Sequence, residues 1–179
     1  LPFAPTLPYG SERYADYIFY PGRITPQKRQ LLAVQAMRHT KTPVRLVLAG
    51  PENDSAYSRT IAQYIRTQGL ENKIEFLPTF ISEEKKVTLF SSCLGALYLG
   101  KDEDYWAYVT TEAMYSKKPV IAPTDTGATK YVVLDGQTGY TPEGTPEDIA
   151  KAMDRLYLDK PLAEKMGHAA YRKIVENTP

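Results

Sequence analysis

A single cysteine, two histidines and a charge balance close to neutral narrow this 179-residue chain before any motif is read. Cys93 alone excludes a disulfide within the chain and a cysteine-built metal centre, and it points to a reducing, cytoplasmic setting. It lies in an apolar stretch without an activating neighbour, so it reads as a buried structural thiol rather than a nucleophile. His39 follows Arg38 at a helix end and His168 falls in a polar terminal helix, and neither reads as a metal ligand or a general base. With 22 basic against 21 acidic side chains the net charge is +1, which excludes the broad electrostatic footprint of nucleic-acid or membrane-surface binding. Any anion must therefore meet a local cluster of cations. A basic leader and an apolar run of membrane-span length are both missing. The opening LPFAPTLPYG carries three prolines and reads as a linker or domain edge over 1–14, which leaves 15–179 as one domain.

A glycine-rich pyrophosphate turn is also absent. The first apolar strand runs into PGRITPQ, which disfavours a nicotinamide dehydrogenase.

What is present alternates between strand and helix. An aromatic and β-branched strand over 17–20 closes at Pro21 and Gly22, and Thr25 with Pro26 reads as the N-cap and first position of a helix. In that helix Leu32, Ala33, Ala36 and Met37 recur at the spacing of one buried face. PVRLVLAG is a nearly continuous apolar strand ending in Gly50. A helix over about 54–67, the strand KIEFL, a helix capped by Ser82 and the strand LGALYL follow. The strand PVIA, a short helix around 131–134, the turn DGQTG, a helix opened by Thr145 and Pro146, and a last helix from 161 to about 176 complete the chain. Strands separated by helices imply right-handed crossovers and a mostly parallel sheet. We expect an α/β, doubly wound, Rossmann-like fold of about six strands with helices on both faces.

The chemistry concentrates in two places. In PGRITPQKR, Arg23 follows Gly22, and Lys28 comes five positions later. A planar guanidinium and a compact ammonium converging on one crevice suit a diphosphate whose charge grows as it leaves. On that spacing alone a solvated surface turn is the favoured reading, and the acidic junction three strands later reverses it. In DYWAYVTTEAM, Asp104 and Glu112 stand eight positions apart across a strand-to-helix junction. A helix starting near Tyr108 aims free N–H groups at the carboxyl end of the sheet, where a phosphate is favoured. Glu112 lies within EAM on a helix flanked by apolar residues, where an unpaired carboxylate is costly unless it meets hydroxyls or a cation.

The order GR-x4-K, LVLAG, IEFLP, DYWA-x4-EA, KPVIA and DGQTGY resembles the carboxy-terminal, nucleotide-sugar-binding domain of retaining GT-B glycosyltransferases, the group related to glycogen and mannosyl transferases. The resemblance covers nearly the whole chain. It implies that Arg23 and Lys28 hold the diphosphate and stabilise it as a leaving group. Glu112 matches the second glutamate of the family's E-x7-E pattern, which contacts the ribose, and Asp104 matches the first, which touches the donor sugar. Together Arg23, Lys28 and Asp104 make the implied catalytic set. Gly22, Trp106, Ala107, Tyr108 and Val109 then lie against sugar and phosphate, while Gly50 and Leu77, in the turn over 76–79, flank the base. Three departures stand out. Asp104 is shorter by a methylene than the usual glutamate, Ala107 replaces the usual glycine, and Lys130 occupies a loop position where a carboxylate is common.

The family also implies a metal-independent reaction with a nucleotide-diphosphate sugar as substrate. Its partner is an amino-terminal, acceptor-binding domain that is missing from this chain, and any peripheral membrane association runs through that domain. Both ends of the chain read as cut, so we expect it to bind nucleotide weakly and to transfer sugar poorly by itself. Two other readings stay open: a GT-B-type sugar-nucleotide epimerase domain, and a non-catalytic α/β binding module.

Overall fold

The computed structural model describes residues 7–101 and 108–176, apart from the side chain of Lys130. Among these residues a six-stranded parallel sheet runs in the order β3-β2-β1-β4-β5-β6. Its strands are β1 Tyr17–Pro21, β2 Arg45–Ala49, β3 Ile74–Leu77, β4 Gly95–Leu97, β5 Val120–Ile121 and β6 Gly139–Tyr140. This is the doubly wound order, in which the chain leaves β1 toward one edge and returns through β4 toward the other. A crevice opens where the two directions part, at the carboxyl ends of β1 and β4.

Period-two alternation sorts the strand side chains onto two buried faces. Ile18, Tyr20, Leu46, Leu48, Leu97 and Ile121 enter one apolar cluster. Their neighbours Tyr17, Phe19, Val47, Ala49, Ala96 and Val120 enter the other. Because both faces are covered, the strands read as unbroken apolar runs rather than alternating ones. Helices α1 Gln30–Met37, α2 Ser55–Thr67 and α6 Pro146–Leu158 seal the first face. Helices α3 Glu83–Ser92 and α4 Tyr108–Tyr115 lie on the second, and α7 Lys160–Glu176 contributes to both.

Local signals explain where the helices start. Asp54 accepts from the Tyr57 N–H at 2.9 Å, Ser82 from Lys85 at 3.2 Å and Thr145 from Asp148 at 3.2 Å, each satisfying an N–H that the first turn leaves unpaired. Cys93 is fully buried against the second face, and burial pushes its thiol up to about 12, as expected of a structural residue.

Two local expectations differ from the structure. The helix read from Pro26 onward is broken: a 3-10 turn spans Pro26–Lys28, Arg29 takes a left-handed conformation at φ 51°, and α1 begins only at Gln30. Side-chain bonds of Arg29, described below, hold it in that region. The DGQTG turn also runs directly into β6, whose two residues pair with Val120 and Ile121. Gly139 is required there, since a β-carbon on it would stand 1.9 Å from the Val120 carbonyl oxygen.

Candidate functional site

The Gly22–Arg23 turn is built by the residues around it. The Gly22 N–H bonds the Ala49 carbonyl at 2.9 Å, tying the end of β1 to the end of β2. Gln30, 1% exposed, donates its side-chain amide to the Arg23 carbonyl at 2.7 Å. The turn is thereby fixed while the Arg23 side chain projects into solvent, without an acidic partner among the described residues. The Gly22 backbone packs directly against Gly50, in the space a β-carbon there would fill.

Above this contact lies a crevice of about 240 Å³. Gly22, Arg23, Gly50, Tyr108, Val109 and Glu112, six of the residues singled out from sequence, line it together with Phe80, Glu83 and Lys86. The first turn of α4 thus meets the turn after β1, bringing the positive end of a helix, a guanidinium and a carboxylate to one opening.

Lys28 is placed beside the crevice rather than in its lining. Its ammonium donates to the Tyr98 hydroxyl at 3.2 Å and stands 5.1 Å from the centre of that ring. Tyr98 follows β4 and meets Tyr20 edge-on at 6.5 Å, and the Tyr20 hydroxyl bonds the Lys28 carbonyl. Two buried tyrosines therefore bring Lys28 to the carboxyl end of β4. Leu77 ends β3, where its carbonyl accepts from Gly50 at 3.1 Å and from Thr79 at 2.8 Å, and its side chain joins the second core. Asp104, Trp106 and Ala107 lie outside the described residues, as does the side chain of Lys130.

Glu112 is half-buried and engaged. Lys86 reaches its Oε1 at 2.7 Å and the Tyr9 hydroxyl reaches the same atom at 3.1 Å. Burial pushes the Glu112 carboxyl above the ordinary carboxylate range, against the opposing pull of Lys86 and Tyr9. For Lys86, burial is outweighed by its bonds to Glu112 and Glu83, which raise the ammonium above its ordinary value.

Sequence reasoning missed Tyr9, Lys86, Tyr20, Tyr98 and Arg29. Arg29 clamps Asp125 with both terminal nitrogens, at 2.7 and 2.9 Å, and its Nε bonds the Leu99 carbonyl. That fork joins the start of α1 to the loops after β4 and β5, and it pairs Arg29 with a carboxylate. The one usable signal was the basic pair Lys28-Arg29 behind Pro26.

Comparison with known proteins settles the family. The family described as Glycosyl transferases group 1 matches residues 10–173. The chain belongs to the group 1 glycosyl transferases. It is 33% identical over 132 residues to the alpha-1,3/1,6-mannosyltransferase ALG2 of Dictyostelium discoideum, covering 71% of this chain and 31% of that protein. The chain thus spans about a third of that relative's length. Among solved structures, the Anabaena HepE in complex with UDP and glucose superposes with a TM-score of 0.82 at 22% identity, over 90% of this chain and 44% of that one. A crystal structure of the C-terminal domain of the group 1 family protein LpcC from Francisella tularensis gives a TM-score of 0.80 at 22% identity, covering 92% of this chain and 87% of that domain. These likenesses give the group 1 chain the α/β fold of a GT-B half.

Among the described residues no helix is long and apolar enough to cross a membrane, and no group of three or more His, Cys, Asp or Glu side chains is placed to hold a metal ion.

Proposed function

We propose that this chain binds the donor of a retaining glycosyltransferase, a nucleoside-diphosphate hexose, and that a domain outside it supplies the acceptor. The convergence of Gly22, Arg23, Tyr108, Val109 and Glu112 on one crevice at the carboxyl ends of a parallel sheet carries this reading. Arg23 and the α4 N-terminus meet the diphosphate, and Lys28, held by Tyr98, meets it from the β4 side. As the sugar leaves, negative charge builds on the terminal phosphate oxygens, and the two cations stabilise it. Supplying that charge from side chains fits metal-independent transfer in a cytoplasmic setting. Glu112 takes the ribose and Asp104 the sugar hydroxyls, with Gly50 and Leu77 toward the base. Mannose is the first sugar to test, because the Dictyostelium relative is a mannosyltransferase by name.

Calorimetric titration with UDP, GDP, ADP and their hexose conjugates, repeated in EDTA, tests the proposal. Saturable binding of at least one, unchanged by the chelator, is expected. A folded sample that binds none refutes it.

A further inference from the structure

Glu112 is held by one oxygen only. Lys86 and the Tyr9 hydroxyl converge on Oε1 at 2.7 and 3.1 Å, while Oε2 has no hydrogen-bond partner among the described residues. The two anchors reach it from separate parts of the fold. Tyr9 belongs to the segment before β1 and is braced by the edge of the buried Phe90 ring, 5.9 Å away at 62°. Lys86 belongs to α3 and is itself fixed by Glu83 at 2.8 Å. A glutamate on a helix samples several rotamers, and ordering it costs side-chain entropy unless neighbours restrict it beforehand. Here two neighbours do.

We infer that Lys86 and Tyr9 are positioning residues: they fix Glu112 through Oε1 so that Oε2 is presented to the ribose hydroxyls of a nucleoside diphosphate. This rests on the donor-binding reading above. The charges in the cluster favour it over a direct phosphate contact by Lys86. One ammonium serves two carboxylates, Glu83 and Glu112, so the group as a whole is anionic and repels phosphate while accepting from neutral hydroxyls. A carboxylate has acceptor capacity on both oxygens, and confining both anchors to Oε1 keeps the other oxygen for the ligand. Tyr9 is suited to its part because burial, then the Glu112 charge, pushes its phenol up and keeps it a donor.

The test compares UDP and GDP with their 2′,3′-dideoxy counterparts, titrated calorimetrically into the whole chain and into Lys86→Met, Lys86→Arg, Tyr9→Phe and Glu112→Gln, each first shown to melt cooperatively. The parent chain should prefer the ribose form by about tenfold, as one hydrogen bond to a charged group allows. Lys86→Met should lose most of that preference, Tyr9→Phe part of it, and Lys86→Arg should restore it. Carboxyl-carbon NMR supplies a second readout: Lys86→Met should raise the pH at which Glu112 titrates, and Lys86→Arg should return it to the parent's value. Full preference retained in both Lys86→Met and Tyr9→Phe overturns the inference. So does an equal loss for ribose and dideoxy ligands, which marks Lys86 as a phosphate contact. A parent chain that binds no nucleoside diphosphate sinks the donor reading itself, and this inference with it.

Discussion

The carbonyl oxygen of Gly22 occupies the space that a β-carbon on Gly50 would need, only 2.0 Å from its position. The two strand ends that floor the crevice can approach this closely because Gly50 carries no side chain, whereas a β-carbon on Gly22 would meet nothing within 4 Å. Gly50→Ala must therefore push the β1 and β2 termini apart, and overpacking of this kind costs about 1–3 kcal/mol. Gly10→Ala, where nothing lies within 4 Å, should stay within about 0.5 kcal/mol of the parent. Denaturant unfolding of the three proteins measures both, and an unchanged Gly50→Ala midpoint would show that the floor is not tightly packed.

The two cations should separate folding from binding. Arg23 is exposed and unpaired among the described residues, so Arg23→Ala should leave stability within about 0.5 kcal/mol of the parent. Its loss should nevertheless weaken nucleoside diphosphate binding by about tenfold or more, given roughly 1.5–3 kcal/mol for a charge-assisted bond. Lys28→Ala also removes a bond to Tyr98, so it should lower both the unfolding midpoint and the affinity. Melting curves and titrations on the same preparations check the split.

Arg29 and Asp125 form a stabilising fork rather than a ligand contact. The Arg29 hydrogen bonds hold the Asp125 carboxyl below the usual carboxylate range. A carboxyl depressed in the folded state adds stability that is fully present above its unfolded pKa, about 3.9, and fades as pH falls through the lower folded value. Asp125→Asn should therefore cost about 1–2 kcal/mol at pH 7, discounted for partial exposure, and the gap to the parent should shrink below about pH 4. Urea unfolding at pH 7, 5 and 3.5 follows that gap.

Lys118 predicts a dependence of the same sign in an alkaline window. It is fully buried, with its ammonium bonded to the Ser11 hydroxyl at 2.8 Å and the Arg13 carbonyl at 2.6 Å, above the Tyr14 ring at 3.8 Å. Burial pushes it down to about 8. Between that value and the unfolded one, about 10.4, the unfolded chain binds the extra proton, so stability from this group rises with pH across the window. Relative to Lys118→Met, the parent chain should gain stability from pH 8 to pH 10. A constant difference would mean that the lysine titrates alike in both states.

Much of the fold could be read in the sequence because its strands are buried on both faces and its helices carry strong caps. VRLVLA and LGALYL have no polar alternation to confuse the period, and Asp54, Ser82 and Thr145 mark helix starts by local hydrogen bonding. The two-residue strand β6 was hidden inside a turn signal, since its pairing with β5 is a tertiary fact that GY alone does not encode. The break at Arg29 was hidden for a similar reason. Its left-handed backbone is held by Asp125 and Leu99, both some seventy or more residues away.

The candidate site was legible in part. Gly22, Arg23, Gly50 and Glu112 could be found because turn glycines, a lone basic turn and a carboxylate on an apolar helix are conspicuous locally. Lys86 could not, since Glu83, Glu84, Lys85 and Lys86 together read as an ordinary charged first turn. Tyr9 was lost among prolines at the start of the chain, and Tyr98 among apolar strand residues. Each acts through a partner distant in sequence, and only the folded chain brings those partners together.

The central claim is that one crevice at the carboxyl ends of β1, β2 and β4 receives a nucleoside diphosphate. Amide-resolved NMR of the labelled chain, titrated in turn with UDP, GDP and ADP, tests it most directly. The account predicts saturable shifts for at least one of them, concentrated at Gly22, Arg23, Gly50, Tyr108, Val109 and Glu112. Shifts centred on another face of the molecule, or none with any of the three, would contradict it.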